Sequence, residues 1–313
     1  MSQFYQAIVQ ALSEEQPFAL AILAGVKGSS PQKKGAKALF FADGRIIGTM
    51  GGGCLEAEIQ DRARRALLSG TPTTFDLLLD HDFGWDDGLI CGGSVQGLIL
   101  PHAPGAAGIW RVLAETTQPR RWGVRKDFSI DWAEAGATER ADTGEWLYLE
   151  TVSPPCALWV AGSGHIAQAV APLAAQLEFE VTVFDDRPAL THRGCFPAPI
   201  RLRVAAWEQL LEEPLPKPPV FGLIVTRGHQ HDARVLARWI ALPFACLGMI
   251  GSRRKAQMMR EQFLVEGLAT PEQWARLHCP VGLPILAQGV QEIAISIMAQ
   301  YIQERALLNI PSA

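Results

Sequence analysis

The stretch Leu158-Trp159-Val160-Ala161-Gly162-Ser163-Gly164-His165-Ile166-Ala167 constrains this chain more than any other, because an apolar run breaks there at glycines and opens into a helix-like segment. An isolated Gly-x-Gly-x-x-Ala match carries little information. Here it follows a strand-like run and is answered by a second one, Val181-Thr182-Val183-Phe184-Asp185. Strand, glycine turn, helix and strand in that order mark a βαβ unit of the dinucleotide-binding kind. Gly162 permits the tight turn, Gly164 admits a pyrophosphate to the backbone, and Ala167 lets the helix lie close on the sheet. Ser163, His165 and Ile166 complete the predicted cofactor-binding loop, whose helix N-terminus offers amides to an anion.

Asp185 ends the second strand about 20 residues after the loop, where a carboxylate would accept hydrogen bonds from a ribose diol. Asp186 is the second candidate for that role. Arg187 could meet a 2′-phosphate, but the carboxylate ahead of it would repel that group, so a free ribose is expected. The bland alternative is a doubly wound domain with an empty crevice.

A nucleotide-type unit in mid-chain requires a separate module before it. The 313 residues are enough for two domains. With 48% hydrophobic residues each half can bury a core. Pro154-Pro155 reads as the linker, giving domains 1–153 and 154–313. The expected class is α/β: an N-terminal mixed α/β domain, then a C-terminal Rossmann-like doubly wound parallel sheet. A net charge of −4 argues against nucleic acid as a partner. The first residues lack the basic start and apolar run of a signal peptide, and no later stretch is apolar for long enough to span a bilayer, so a cytoplasmic protein without membrane contact is expected. Six cysteines without Cys-x-x-Cys spacing point to thiols rather than zinc or disulfides.

Along the first half, Phe4, Ile8 and Leu12 recur at helical spacing and Phe18 to Ala24 reads as a buried strand. Ala38 to Phe41, the turn at Asp43-Gly44 and Arg45 to Thr49 suggest a hairpin. A helix is expected from Leu55 to Leu68, closed by Gly70, and strands at 76–79 and 95–100 flank an acidic loop at 80–87. The polar, tryptophan-containing stretch 101–151 suggests a meander. In the second half, strands are expected at 220–226 and 244–250, with helices from about Ala233, after Ser252 as N-cap, after the capping box Thr270-Pro271-Glu272-Gln273, and over 290–306.

Gly51-Gly52-Gly53-Cys54-Leu55-Glu56 has the ingredients of an anion cradle, consecutive unhindered amides followed by a helix N-terminus. A thiol there feels the positive helix end, which favours thiolate. Cys54 is therefore the first candidate for chemistry. Cys91, in Ile90-Cys91-Gly92-Gly93, is the second. The plain alternative is that both are small buried hydrophobes, as Cys156, Cys195, Cys246 and Cys279 are expected to be. His229, His231 and Asp232 fall where a sheet strand ends and open α/β sheets bind ligands, which makes His229 a candidate contact. Residues two apart do not share a helix face, so these do not read as a metal site. Arg253 and Lys255 could meet a phosphate or form a solvated basic turn.

Read together and in order, these segments resemble a known family. Gly28-Ser29-Ser30-Pro31, Gly35-Ala36-Lys37, Gly51 to Glu56 and Ile90 to Gly93 are similar to the N-terminal signature of the XdhC/CoxI family of molybdenum-hydroxylase accessory proteins. Gly162 to His165, Asp185 to Pro188, Thr226 to His229, Gly248 to Lys255 and Pro280 to Leu283 resemble its Rossmann-type half. Gln32, in place of a common arginine, and Gln288-Gly289-Val290, in place of an acidic-Thr-Pro start, depart from the pattern.

The resemblance implies a chaperone that binds molybdenum cofactor (molybdopterin), protects it during sulfuration and inserts it into a molybdenum hydroxylase apoenzyme of the xanthine dehydrogenase type. A cysteine desulfurase is the implied sulfur donor, and a homodimer is consistent with that role. Cys54 and Cys91 are then the implied thiols and molybdenum contacts, with Gly51, Gly52, Gly53, Gly92 and Gly93 around them. The Rossmann-like domain could hold NAD(P) or another nucleotide. Two other functions compete: an NAD(P)-dependent oxidoreductase, against which stands the lack of a hydride-transfer constellation, and a scaffold joining desulfurase to hydroxylase.

Overall fold

The apolar spacing of the first residues produces helix α1 (Ser2–Ser13), which buries Tyr5, Ile8 and Ala11. In this computed structural model the described residues are 2–79, 92–102, 104–134, 136–138, 144–217 and 219–308. The chain divides between Pro154 and Pro155 into two compact units.

In the first unit α1 is followed by β1 (Phe18–Lys27), β2 (Lys37–Phe41), β3 (Ile46–Gly48), α2 (Gly53–Ser69), β4 (Thr73–Leu79) and β5 (Gly93–Pro101). The strands form one antiparallel sheet in the order β3-β2-β1-β5-β4. β1 reads as a continuous apolar run because both its faces are covered. Ala19, Ala21 and Leu23 face α2, whose Leu55, Ile59 and Ala63 are fully buried against them. Phe18, Leu20 and Ile22 face the opposite core, with Tyr5, Trp110 and Trp122.

The stretch expected to be a meander first makes a helix, α3 (Ala107–Ala114), which buries Trp110 and Leu113. It then forms β6 (Arg120–Arg125), β7 (Ile130–Trp132) and β8 (Trp146–Val152). Their order is β7-β6-β8, so β8 returns to pair with β6 rather than with its chain neighbour. A buried ion pair ties this small sheet to the larger one. Lys37 Nζ donates to Glu150 Oε1 at 2.7 Å and to the Gly35 carbonyl at 2.9 Å, and Tyr5 OH donates to Glu150 Oε2 at 2.9 Å.

The second unit alternates β9 (Ala157–Ala161), α4 (His165–Gln176), β10 (Glu180–Asp185), β11 (Arg201–Val204), α5 (Trp207–Leu210), β12 (Val220–Ile224), α6 (His229–Trp239), β13 (Cys246–Met249), α7 (Arg253–Val265), α8 (Pro271–Ala275), β14 (Leu277–His278) and α9 (Val290–Leu308). Its six strands are all parallel in the order β11-β10-β9-β12-β13-β14. Counting from β9 this is 3-2-1-4-5-6, the doubly wound Rossmann order, with its switch point between β9 and β12.

Helices α4 and α9 cover one face of that sheet through Ala167, Val170, Ile297 and Tyr301. Helices α5, α6 and α7 cover the other through Trp207, Trp239 and Phe263. Tyr301 OH donates to the Gly222 carbonyl of β12 at 2.7 Å, and Arg305 Nη1 donates to the Leu177 carbonyl just past α4 at 2.7 Å. The two anticipated caps are present: Ser252 Oγ accepts from Lys255 N, and Thr270 with Gln273 forms the capping box.

Candidate functional site

In the first unit three loops converge. Gly51 adopts φ +118°, and a Cβ on it would lie 2.7 Å from Pro31 Cβ. A Cβ on Gly93 would lie 2.1 Å from the Ser29 carbonyl oxygen and 2.6 Å from that of Lys27. The Gly28 to Gln32 segment is therefore held between the triple-glycine loop and the start of β5, and only glycine allows that approach. Glu56, in the first turn of α2, ties the loop back. Its Oε2 accepts from Met50 N and from Thr49 Oγ1, each at 2.9 Å.

Gly52 caps α2 with φ +75° and no side-chain hydrogen bond, and Gly53 continues the positive run at φ +57°. A Cβ on Gly52 or on Gly92 would meet no atom of the described residues within 4 Å. Cys54, half-buried, is the second residue of α2, at its positive end. Cys91 lies outside the described residues.

The remaining cysteines differ from Cys54 in setting. Burial, reinforced by the Glu304 carboxylate, pushes the Cys246 thiol up to about 12. Burial likewise lifts Cys279 to about 11, with Lys255 pulling it down and Asp232 pushing it up. Cys156 is raised by burial, against a smaller opposing pull from Arg305. Cys195 lies 3.5 Å from His192 Nε2.

In the second unit the crest of the sheet gathers the other predicted residues. Gly162 takes φ +116°, and a Cβ there would fall 2.3 Å from the Val225 carbonyl oxygen, so β9 and β12 end in close contact. Gly164 caps α4 at φ −72°, and a Cβ on it would meet nothing within 4 Å among the described residues. Conformation does not require this glycine. It leaves the space before the helix open, as an anion's approach would need. His165 is exposed at the first position of α4, Ile166 is half-buried, and Ala167 is fully buried against the sheet. Ser163 is buried, and its Oγ has no hydrogen-bond partner among the described residues.

Asp185 differs from its anticipated role. It is 1% exposed, and its carboxylate is bonded to the chain itself rather than presented to a ribose. Oδ1 accepts from Arg187 N at 2.9 Å and Arg187 Nε at 2.8 Å, while Oδ2 accepts from Ser163 N at 2.8 Å and Arg187 Nη2 at 2.7 Å. Burial alone would raise this carboxyl, but the Arg187 fork and the Ser163 amide outweigh it and hold it at about 2. Arg187, the candidate contact for a 2′-phosphate, is thereby engaged with Asp185. Asp186 Oδ2 accepts from Arg227 Nη2 at 2.9 Å.

Helix α6 begins at His229, four residues earlier than expected, because Gly228 caps it. His229 is exposed, and Arg227 Nε lies 3.0 Å from His231 Nε2. Asp232 is 2% exposed and secures the turn: its Oδ1 accepts from Thr226 N at 3.1 Å and from Thr226 Oγ1 at 2.6 Å. Lys255 Nζ is bonded to Asp232 Oδ2 and, at 3.2 Å, to the Ile250 carbonyl. This Thr226-Asp232-Lys255 network joins the ends of β12 and β13, and sequence reasoning did not foresee it. An aspartate in the first turn of a helix behind a threonine was the available signal. Among the described residues no group of three or more His, Cys, Asp or Glu side chains could hold a metal ion, and no helix is long and apolar enough to cross a membrane.

The sheet order and glycine turn define the second unit as a Rossmann-type domain, preceded by an antiparallel α/β unit built around a glycine-cysteine loop. Residues 158–301 match the XdhC Rossmann domain, and residues 11–79 match the XdhC and CoxI family. The chain belongs to the XdhC and CoxI family. It is 27% identical to a probable xanthine dehydrogenase subunit from Bacillus subtilis, over 97% of this chain and 98% of that one. It is 25% identical to the molybdenum cofactor insertion chaperone PaoD of Escherichia coli, over 95% of this chain and 86% of the other. The crystal structure of a xanthine dehydrogenase from Bacillus halodurans superposes with a TM-score of 0.82 at 26% identity, covering 99% of this chain and 98% of that chain.

Proposed function

We propose that this protein is an accessory factor that receives molybdenum cofactor, holds it while its terminal sulfido ligand is installed, and delivers it to a hydroxylase apoenzyme of the xanthine dehydrogenase type. A cysteine desulfurase supplies the sulfur. The observation that carries this reading is the convergence of the 28–32, 51–54 and 92–93 segments, in a chain similar along almost its whole length to a molybdenum cofactor insertion chaperone.

The donor set suits the cargo. A thiolate is a soft ligand appropriate to a sulfur-rich molybdenum centre, and glycine amides can bind a pterin phosphate without a cationic side chain. Cys54 contacts the metal end in this reading, with Cys91 as its partner. Gly52, two residues before it, has no described atom within 4 Å of where a Cβ would lie, and Glu56 keeps the loop in shape.

The test is anaerobic purification from cells making the cofactor, followed by molybdenum and pterin analysis and by activation of an apo-hydroxylase. Wild type carries both components and activates. Cys54→Ala loses most of the bound molybdenum and the activation while its melting temperature is unchanged. Absence of molybdenum and pterin from wild type, together with activation indifferent to Cys54→Ala, refutes the proposal.

A further inference from the structure

A Rossmann domain normally holds a dinucleotide by two devices, a glycine loop for the pyrophosphate and an acidic side chain at the end of the second strand for the ribose hydroxyls. The second unit has the first device. The second is present in sequence, as Asp185, yet its geometry does not suit the task.

An ionised carboxylate offers about four lone-pair positions. Asp185 has four donors on it, namely the Ser163 amide, the Arg187 amide and two nitrogens of the Arg187 guanidinium, all between 2.7 and 2.9 Å. No acceptor position remains for a diol, and the side chain is 1% exposed. The neighbouring ionic groups are engaged as well. Arg187 commits its fork to Asp185, and Asp186 is paired with Arg227.

Nor can the glycine loop swing aside to re-aim the carboxylate. Gly162 N donates to the Phe184 carbonyl at 2.8 Å, Gln168 Nε2 donates to the Ser163 carbonyl at 2.9 Å, and Gly162 sits against the Val225 carbonyl. The loop is fastened to β10, to α4 and to the end of β12.

We propose that the second unit is a Rossmann domain closed to ribose recognition: the Asp185–Arg187 pair occupies the place of the 2′ and 3′ hydroxyls, and NAD-type dinucleotides are not its ligands. Arg187 is the specificity-determining residue. Its fork converts a ribose-reading carboxylate into an internal strut between β10 and the glycine loop, and its own charge is thereby withdrawn from a 2′-phosphate. This inference stands independently of whether the first unit carries molybdenum cofactor.

The experiment is isothermal titration of the full chain with NAD+ and NADP+, alongside Arg187→Ala and Arg187→Lys. Wild type shows no saturable binding of either dinucleotide. Removing the fork frees one acceptor position on each carboxylate oxygen while the two main-chain amides stay in place, so Arg187→Ala binds NAD+ saturably, at least about 10-fold more tightly than the weakest affinity the titration registers, the worth of one charged hydrogen bond to the diol. That gain disappears with 2′-deoxy-NAD+. Arg187→Lys, which cannot make the fork, covers the case in which the alanine variant is unstable, and thermal melting reports which variants are folded. Saturable binding of NAD+ or NADP+ to wild type overturns the proposal. So does a folded variant that lacks the fork and gains nothing.

Discussion

Replacing Asp185 with asparagine isolates the pair that organises the crest of the Rossmann unit. The carboxyl sits at about 2 in the folded chain against an ordinary 3.8. At 1.36 kcal/mol per pH unit, that difference makes the ionised form worth about 2 kcal/mol to the folded state. Because the folded value is the lower one, this stabilisation is fully present above about pH 4 and is lost as pH falls through the folded value near 2.

Asparagine resembles the protonated acid, so the stability gap between wild type and Asp185→Asn tracks ionisation directly. The gap is about 2 kcal/mol at pH 7, unchanged at pH 5, and closes between about pH 4 and pH 2. Denaturant unfolding of both proteins in parallel across that range measures it, since the other titrating groups are common to the two and cancel. A gap that stays flat with pH, or is under about 0.5 kcal/mol at neutral pH, refutes the reasoning, because surface-like substitutions give values of that size.

Two further outcomes follow from the first unit. Gly93→Ala drives a Cβ to 2.1 Å from the Ser29 carbonyl and lowers stability by about 3 kcal/mol or more, whereas Gly52→Ala meets no atom of the described residues and costs the about 1–3 kcal/mol of a backbone conformation, φ +75° with ψ −177°, that is nearly confined to glycine; thermal melting in which Gly52→Ala is the more destabilising contradicts this. Lys37→Met leaves Glu150 charged and 12% exposed, at a cost of about 3–5 kcal/mol, while Lys37→Met with Glu150→Leu recovers only part of it, because the buried Tyr5 hydroxyl then loses its acceptor at about 1–3 kcal/mol. Denaturant titration of the single and double variants decides, and an additive double variant refutes the pairing.

Much of this fold is legible in the sequence where local pattern and tertiary setting agree. The β9, α4 and β10 elements announce themselves because a buried parallel strand is a continuous apolar run and a glycine turn must follow it. Helix α3 is concealed by Gly108, which weakens its pattern, so that only the burial of Trp110 and Leu113 reveals what drives it. Strand β11 is short, mostly exposed and at the sheet edge, and its Arg-Leu-Arg-Val sequence has little apolar signal. The glycine-cysteine loop is readable as a site because three glycines in succession cost so much chain entropy that a turn or a close approach must require them. The engagement of Asp185 is not readable. Aspartate two residues before arginine suits a ribose contact and an internal fork equally, and only the χ angles of Arg187 separate the two.

The pairing of α4 with α9 also sets an order in time. The Rossmann unit's first helix is packed by its last, the bond from Arg305 to Leu177 spanning 128 residues. On a ribosome adding about 5–20 residues each second, α4 waits on the order of ten seconds for the segment that will cover it. Through that interval Val170 and the apolar face of β12, including the Gly222 carbonyl that Tyr301 will claim, remain uncovered on the nascent chain. The second unit therefore closes only once α9 has been made, and that exposed half-sheet is where cellular folding assistance has the most to shield.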